Sequence, residues 1–71
     1  MTKYQALLKE ALGFLAAAKE IAEKAQADGG RDMTEDERSA FNEKAAQAAA
    51  RRKAAEVAKA DEQVLAQAKE L

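Results

Sequence analysis

Apolar residues recur at helical spacings through the first part of the chain. A main row is spaced by four and three residues, and a flanking row repeats every seven residues. Such spacing places the side chains on one face of an amphipathic helix. The main row consists of Tyr4, Leu8, Ala11, Leu15, Ala18, Ala22 and Ala25, and the flanking row of Leu7, Phe14 and Ile21. The pattern predicts a first helix over residues 2–27.

A polar turn at residues 28–33 ends this pattern. Gly29 and Gly30 supply the left-handed backbone that ends a helix, since glycine has no Cβ to meet the preceding carbonyl. Thr34 follows as a candidate N-cap residue, and Glu37 stands three residues later, where a capping box places Glu or Gln. A helix stop and a helix start therefore lie side by side.

The second helix is predicted to cover residues 34–71, because no glycine or proline follows the turn. At about 1.5 Å per residue, it would be about 55 Å long, against about 38 Å for the first helix. A first helix folded back on the second would reach only to about Ala58. The sequence therefore predicts an all-α fold with one domain, an antiparallel helical hairpin or coiled coil whose second helix is longer.

Two weak apolar faces occur on the second helix. One consists of Phe41, Ala45, Ala48 and Ala55. The other consists of Val57, Val64, Leu65 and Leu71. Because successive residues turn by about 100°, Phe41 points nearly opposite to Val57 and Val64. We predict that the Phe41 face contacts the first helix and that the C-terminal face contacts another chain. Asp61 interrupts the C-terminal face, and the alternative is that Asp61 caps a separate short helix that folds back.

Composition argues that the hairpin is only marginally stable alone. Hydrophobic residues make up 48% of the 71 positions, but only 4% are aromatic, and many of the rest are alanine, which buries little area. A single core in a chain of this length is small. Self-association is therefore expected, with a second copy of the chain as the partner.

Charge is balanced overall but arranged in blocks along the second helix. Charged residues make up 35% of the chain and the net charge is -1, which gives no reason to expect nucleic acid or an anionic membrane as partner. The helix begins acidic, becomes basic in its middle and ends acidic, an alternation that favours particular alignments of neighbouring helices. Arg51, Arg52 and Lys53 form a basic cluster without interleaved aromatic residues. A solvated helix face explains this cluster better than nucleic-acid binding.

The residue types that most enzymes and metal sites use are missing. The chain has no histidine and no cysteine. It therefore lacks an imidazole base and a thiolate ligand. An EF-hand loop starting at Asp28 or Asp32 would place Met33 or Glu37 at the obligatory glycine position. No stretch is apolar enough to span a bilayer. We expect no enzymatic activity, no metal and no cofactor.

The turn and the start of the second helix resemble one known family. Residues 30–38 read Gly-Arg-Asp-Met-Thr-Glu-Asp-Glu-Arg, and Phe41-Asn42 follows. The stretch is similar to the delta domain, the N-terminal scaffolding segment of the major capsid proteins of tailed phages. That family has Gly, Arg, any residue, a large apolar residue, Thr or Ser, an acidic triplet and then an aromatic residue, after a charged helix rich in Leu and Ala. It usually places large apolar residues where this chain has Lys44 and Ala48.

The resemblance implies an assembly role in viral capsid formation. In that family the segment lies on the inner face of the immature shell, in a procapsid assembled in the bacterial cytoplasm. It directs assembly through helix–helix contacts and is removed by a phage maturation protease. The implied partners are further copies of the chain, that protease, and a shell domain, which would follow Leu71 in the native gene. The alternative is a free-standing helical hairpin that serves as an oligomerisation or adaptor module.

Overall fold

The computed structural model describes residues 1–70, which form two helices joined by a turn. Helix α1 comprises Lys3–Ala27 and helix α2 comprises Glu35–Glu70. The helices pack antiparallel, and the molecule measures 60 × 17 × 13 Å. With 25 residues in α1 and 36 in α2, the predicted all-α hairpin with a longer second helix is confirmed. Leu71 lies outside the described residues.

Both helices begin with a capping box. The backbone N–H of Gln5 donates to Thr2 Oγ1, and the N–H of Thr2 donates to Gln5 Oε1, each at 3.1 Å. At α2, the N–H of Glu37 donates to Thr34 Oγ1 at 3.1 Å, and the N–H of Thr34 donates to Glu37 Oε1 at 2.9 Å. Each box satisfies backbone donors that the first turn of a helix leaves open. The predicted capping by Thr34 and Glu37 is confirmed, whereas the box at Thr2 was not predicted.

The turn depends on two glycines in the left-handed region of the backbone. Gly29 has φ 75° and Gly30 has φ 71°. The N–H of Gly30 donates to the carbonyl of Gln26 at 2.9 Å, which satisfies one of the last carbonyls of α1. An L-residue with a Cβ would be strained at either φ. The predicted helix stop is confirmed in its position and in its cause.

Alanine side chains form the centre of the contact between the helices. We call this row the alanine seam. Its members are no more than 5% exposed. They are Ala11, Ala18 and Ala25 of α1, with Ala48, Ala55 and Ala58 of α2. Most follow each other at intervals of seven residues, and their small side chains let two helices approach closely. Larger apolar residues, among them Leu7, Phe14 and Phe41, are half-buried beside the seam.

The predicted main row of α1 is partly wrong. Leu15 belongs to that row by spacing, yet it is 45% exposed, and the neighbouring Leu12 is 60% exposed. The line of closest approach is occupied by alanines, so a leucine about 60° away from Ala18 lies beside the contact rather than in it. On α2, Ala48 and Ala55 of the Phe41 face are buried in the contact with α1, as predicted.

Helix α2 continues without a break beyond the end of α1. Asp61 lies inside the helix, so the alternative of a separate short helix that folds back is wrong. The last buried residue is Ala58, at 5% exposure, and Lys59 Nζ lies 5.5 Å from the centroid of the Tyr4 ring, near the first residue of α1. We call residues 60–70, which extend past α1, the tail. The part of α2 that α1 covers therefore ends near Ala58, as the predicted helix lengths indicated.

Candidate assembly surface

Arg31 holds the turn together through its guanidinium group. Its Nη1 donates to Glu37 Oε1 at 2.7 Å and its Nη2 to Glu37 Oε2 at 3.1 Å, a bidentate pair. Its Nε donates to Asp28 Oδ2 at 2.7 Å, and Nη1 also donates to the carbonyl of Asp32 at 3.0 Å. One side chain therefore links the end of α1 to the first turn of α2. The sequence signal for this link is an arginine that stands between a helix-end aspartate and a capping-box glutamate. The link was not predicted from the sequence.

These hydrogen bonds shift the titration of Glu37. Donation by Arg31, followed by donation from the Thr34 backbone, lowers the pKa of Glu37 from 4.5 to about 2. The same pairing with Glu37, and then with Asp28, raises the pKa of Arg31 above its usual range. Glu37 is therefore ionised at neutral pH while it caps α2. The predicted turn and cap residues are brought together, and their geometry orients the second helix.

The basic cluster does not form one surface. Arg51 Nε lies 3.0 Å from Glu10 Oε2 of α1, and Arg51 Cζ lies 5.8 Å from the centroid of the Phe14 ring. Adjacent residues on a helix differ by about 100°, so Arg52 and Lys53 point elsewhere, and both are exposed. Arg51 therefore contributes to the contact between the helices. If all three cations of the cluster bound phosphates, Arg51 would have to leave its ion pair with Glu10.

A shallow groove lies beside Phe14. It has a volume of about 430 Å³ and is open to solvent. It is lined by Glu10, Gly13, Phe14, Ala17, Lys44 and Arg51. Lys44 Nζ lies 5.6 Å from the centroid of the Phe14 ring, so this ring carries two cations. These contacts hold α1 against α2, and Lys44 covers one side of the Phe14 ring.

Residues 1–70 contain neither a candidate membrane span nor a candidate metal cluster. Neither helix combines the length and the apolarity needed to cross a lipid bilayer. Within the same residues, no group of three or more acidic side chains is placed to hold a metal ion.

Large apolar side chains are exposed on the C-terminal half of α2. Val57 is 58% exposed, Val64 is 64% exposed and Leu65 is 57% exposed. Val57 follows the buried Ala55 by two residues, about 200° around the helix, and Val64 follows it by nine residues, about 180° around the helix. These two valines therefore point away from α1. We call the line through Val57 and Val64 the outer stripe.

The predicted C-terminal face is thus not a single face. Leu65 lies about 100° around the helix from Val64, so it does not share the outer stripe. Leu71, the last predicted member, lies outside the described residues. Val57 is exposed because it points away from α1, not because α1 is too short. Only Val64 and Leu65 lie in the tail.

Comparisons of the chain with protein-family models, with curated proteins and with solved structures found no match.

Proposed function

We propose that this chain is an assembly module that binds other copies of itself through the C-terminal half of α2. Its specific role would be that of a scaffolding segment of a phage capsid protein, acting through helix–helix contacts. No catalytic step is part of this role, and no cofactor is required. The hairpin presents a long helix, and the turn fixes the direction of that helix.

The observation that carries the proposal is the exposure of Val57, Val64 and Leu65 on α2. Each exposes more than half of its surface, at 58%, 64% and 57%. Single exposed apolar residues are ordinary on protein surfaces, but these three lie within three turns of one helix. Covering them with helices of other copies would gain about 25 cal/mol for each Å² of apolar surface removed from water.

The packing inside the hairpin supports a need for partners. The buried core of residues 1–70 consists of small alanine side chains, and the larger apolar groups are only half-buried. A core of this kind offsets the conformational entropy of folding by a narrow margin. Binding another copy would stabilise the folded state by mass action. Weak contacts of this type also suit a component that is removed after assembly.

Residues 30–38 and Phe41-Asn42 connect this assembly role to phage capsids. Several of the residues that resemble the delta domain have a defined structural role in the hairpin. Arg31 bridges the turn, Thr34 and Glu37 cap α2, and Phe41 is half-buried. The resemblance thus coincides with the part of the hairpin that sets its geometry. A shell domain encoded directly after Leu71 in the native gene would support the capsid role.

The test is the double substitution Val64→Asp with Leu65→Asp. We expect wild-type protein to show a mass that rises with concentration in sedimentation equilibrium at tens of micromolar and above, and the double variant to stay monomeric. Two buried carboxylates in an interface are costly. Circular dichroism should show α1 and α2 still folded, since both positions are exposed in the hairpin.

The matched control is Leu12→Asp with Leu15→Asp, which places two carboxylates on exposed leucines of α1 (60% and 45% exposed). We expect this control to associate like wild type. A wild-type protein that remains monomeric up to millimolar concentration refutes the assembly role. Equal loss of association in both double variants would move the interface away from the C-terminal half of α2.

A further inference from the structure

The outer stripe carries a charge that the hairpin leaves unexplained. Asp61 lies inside α2 and is exposed, four residues after Val57 and three before Val64. Lys53 lies four residues before Val57 and is also exposed. Spacings of three and four residues keep side chains on one side of a helix, so both charges border the valines on the side away from α1.

The rest of the outer stripe is made of small residues. Exposed alanines precede and follow the valines at helical spacing. The full line reads Ala46, Ala50, Lys53, Val57, Asp61, Val64 and Ala68. The alanine seam on the opposite side of α2 also consists of small residues, and there α1 packs closely. The same physical reason allows a helix to approach here.

This line is complementary to itself when a second copy runs antiparallel. If Val57 lies opposite Val57 of the second copy, then Lys53 lies opposite its Asp61, and Ala50 lies opposite its Val64. By the same register, Ala46 lies opposite its Ala68. The Val57 pair lies on the two-fold axis and occurs once, whereas every other opposition occurs twice because of the symmetry. Each valine meets an alanine or a valine, and each charge meets the opposite charge.

The parallel arrangement is disfavoured by the same residues. With Val57 opposite Val57 and both helices running in one direction, Asp61 would face Asp61 and Lys53 would face Lys53. Like charges placed in contact across an interface are destabilising. The charge blocks agree with the antiparallel arrangement, because they bring the acidic residues around Asp61 over the basic residues around Lys53.

The length of this contact is comparable to that of the hairpin contact. From Ala46 to Ala68 there are 23 positions in α2, which span about 34 Å, against about 38 Å for α1. The helices would lie in the order α1, α2, α2 of the second copy and α1 of the second copy. The small side chains bury little area, so we expect a dimer with a dissociation constant above roughly 1 μM.

We propose that a second copy of this chain packs antiparallel on the outer stripe, with Val57 on the two-fold axis and reciprocal ion pairs between Lys53 and Asp61. This rests on the proposed assembly function and gives it a register. It explains why a charge interrupts the apolar line of α2: Asp61 selects one direction and one alignment of the partner. A polar residue within a helix contact often has this effect on register.

Single cysteines test the register, since the chain contains no cysteine of its own. Val57→Cys should form a disulfide-linked dimer under mild oxidation, because the symmetry brings the two residues together. Val64→Cys should form little dimer alone, but should link to Ala50→Cys when the two variants are mixed. Efficient linkage of Val64→Cys to itself, equal to that of Val57→Cys, would overturn the antiparallel register.

Charge reversal gives a second test that needs no covalent bond. Lys53→Glu alone and Asp61→Lys alone should each weaken self-association by about tenfold, since two attractive pairs become repulsive. An equimolar mixture of the two variants should associate again, because every pair is then of opposite charge. The control is Arg52→Glu, which makes the same charge change at an exposed neighbour, about 100° around the helix.

The outcomes separate the register from the assembly function. Association of the mixture at wild-type strength, with each variant alone weakened about tenfold, supports the antiparallel register. Unchanged association of both single variants overturns the register, and the assembly function survives only if Val64→Asp with Leu65→Asp still abolishes association. A wild-type chain that never associates refutes the register and the assembly function together.

Discussion

Gly13 and Gly29 give opposite predictions for the same substitution. Gly13 lies within α1 on its exposed side, and a Cβ added there would meet nothing within 4 Å. Its backbone is helical, and alanine is the residue that a helix interior favours most. Gly13→Ala should therefore raise the free energy of unfolding by about 0.5–1 kcal/mol. The corresponding rise in Tm is roughly 2–8 °C for a chain of this size.

At Gly29 the added methyl group also meets nothing within 4 Å, but φ is +75°. A left-handed conformation costs a residue with a Cβ about 1–2 kcal/mol. The lower entropy of the unfolded chain offsets about 0.4–1 kcal/mol of this. Gly29→Ala should therefore lower the free energy of unfolding by up to about 1.5 kcal/mol. Because both sites are sterically open, backbone conformation alone decides the sign.

The assay is urea and thermal unfolding followed by circular dichroism at 222 nm. Samples should be dilute enough that Tm does not change with concentration, since self-association would add its own stabilisation. Equal m-values would show that the substitutions leave the extent of unfolding unchanged. A Gly29→Ala variant as stable as Gly13→Ala would refute the left-handed turn as the end of α1.

Two further predictions concern the seam and the cap. Ala55 is 1% exposed, so Ala55→Leu should lower the free energy of unfolding by about 1–3 kcal/mol, because the larger side chain forces the helices apart. Ala54→Leu, at the exposed neighbour, should change the free energy of unfolding by less than about 0.5 kcal/mol. Urea unfolding of both variants measures the difference, and equal effects would contradict the alanine seam. The low pKa of Glu37 contributes stability that is fully present above about pH 4.5 and is lost as the pH falls toward 2, so Glu37→Gln should flatten the acid limb of a stability–pH profile. An acid limb identical to that of wild type would argue against the Arg31 pairing.

The ends of the helices were determined by the sequence because they are local. Gly29 and Gly30 can adopt φ values that other residues avoid. Thr34 and Glu37 form a capping box within four consecutive residues, so no distant part of the chain is needed. Helix lengths follow from the absence of further breakers, and the extent of the tail follows from the two lengths. The all-α hairpin, its turn and the limit of cover near Ala58 are therefore readable without coordinates.

The packing line was decided by tertiary structure, because the chain is rich in alanine on nearly all sides of its helices. Hydrophobic spacing alone does not distinguish the buried Ala18 from the exposed Leu15, three residues before it, and it placed both in the contact between the helices. Only the approach of the two helix axes selects the alanines, since a larger side chain would hold the helices apart. The same approach turned Arg51 onto α1 and left Val57 and Val64 facing outward.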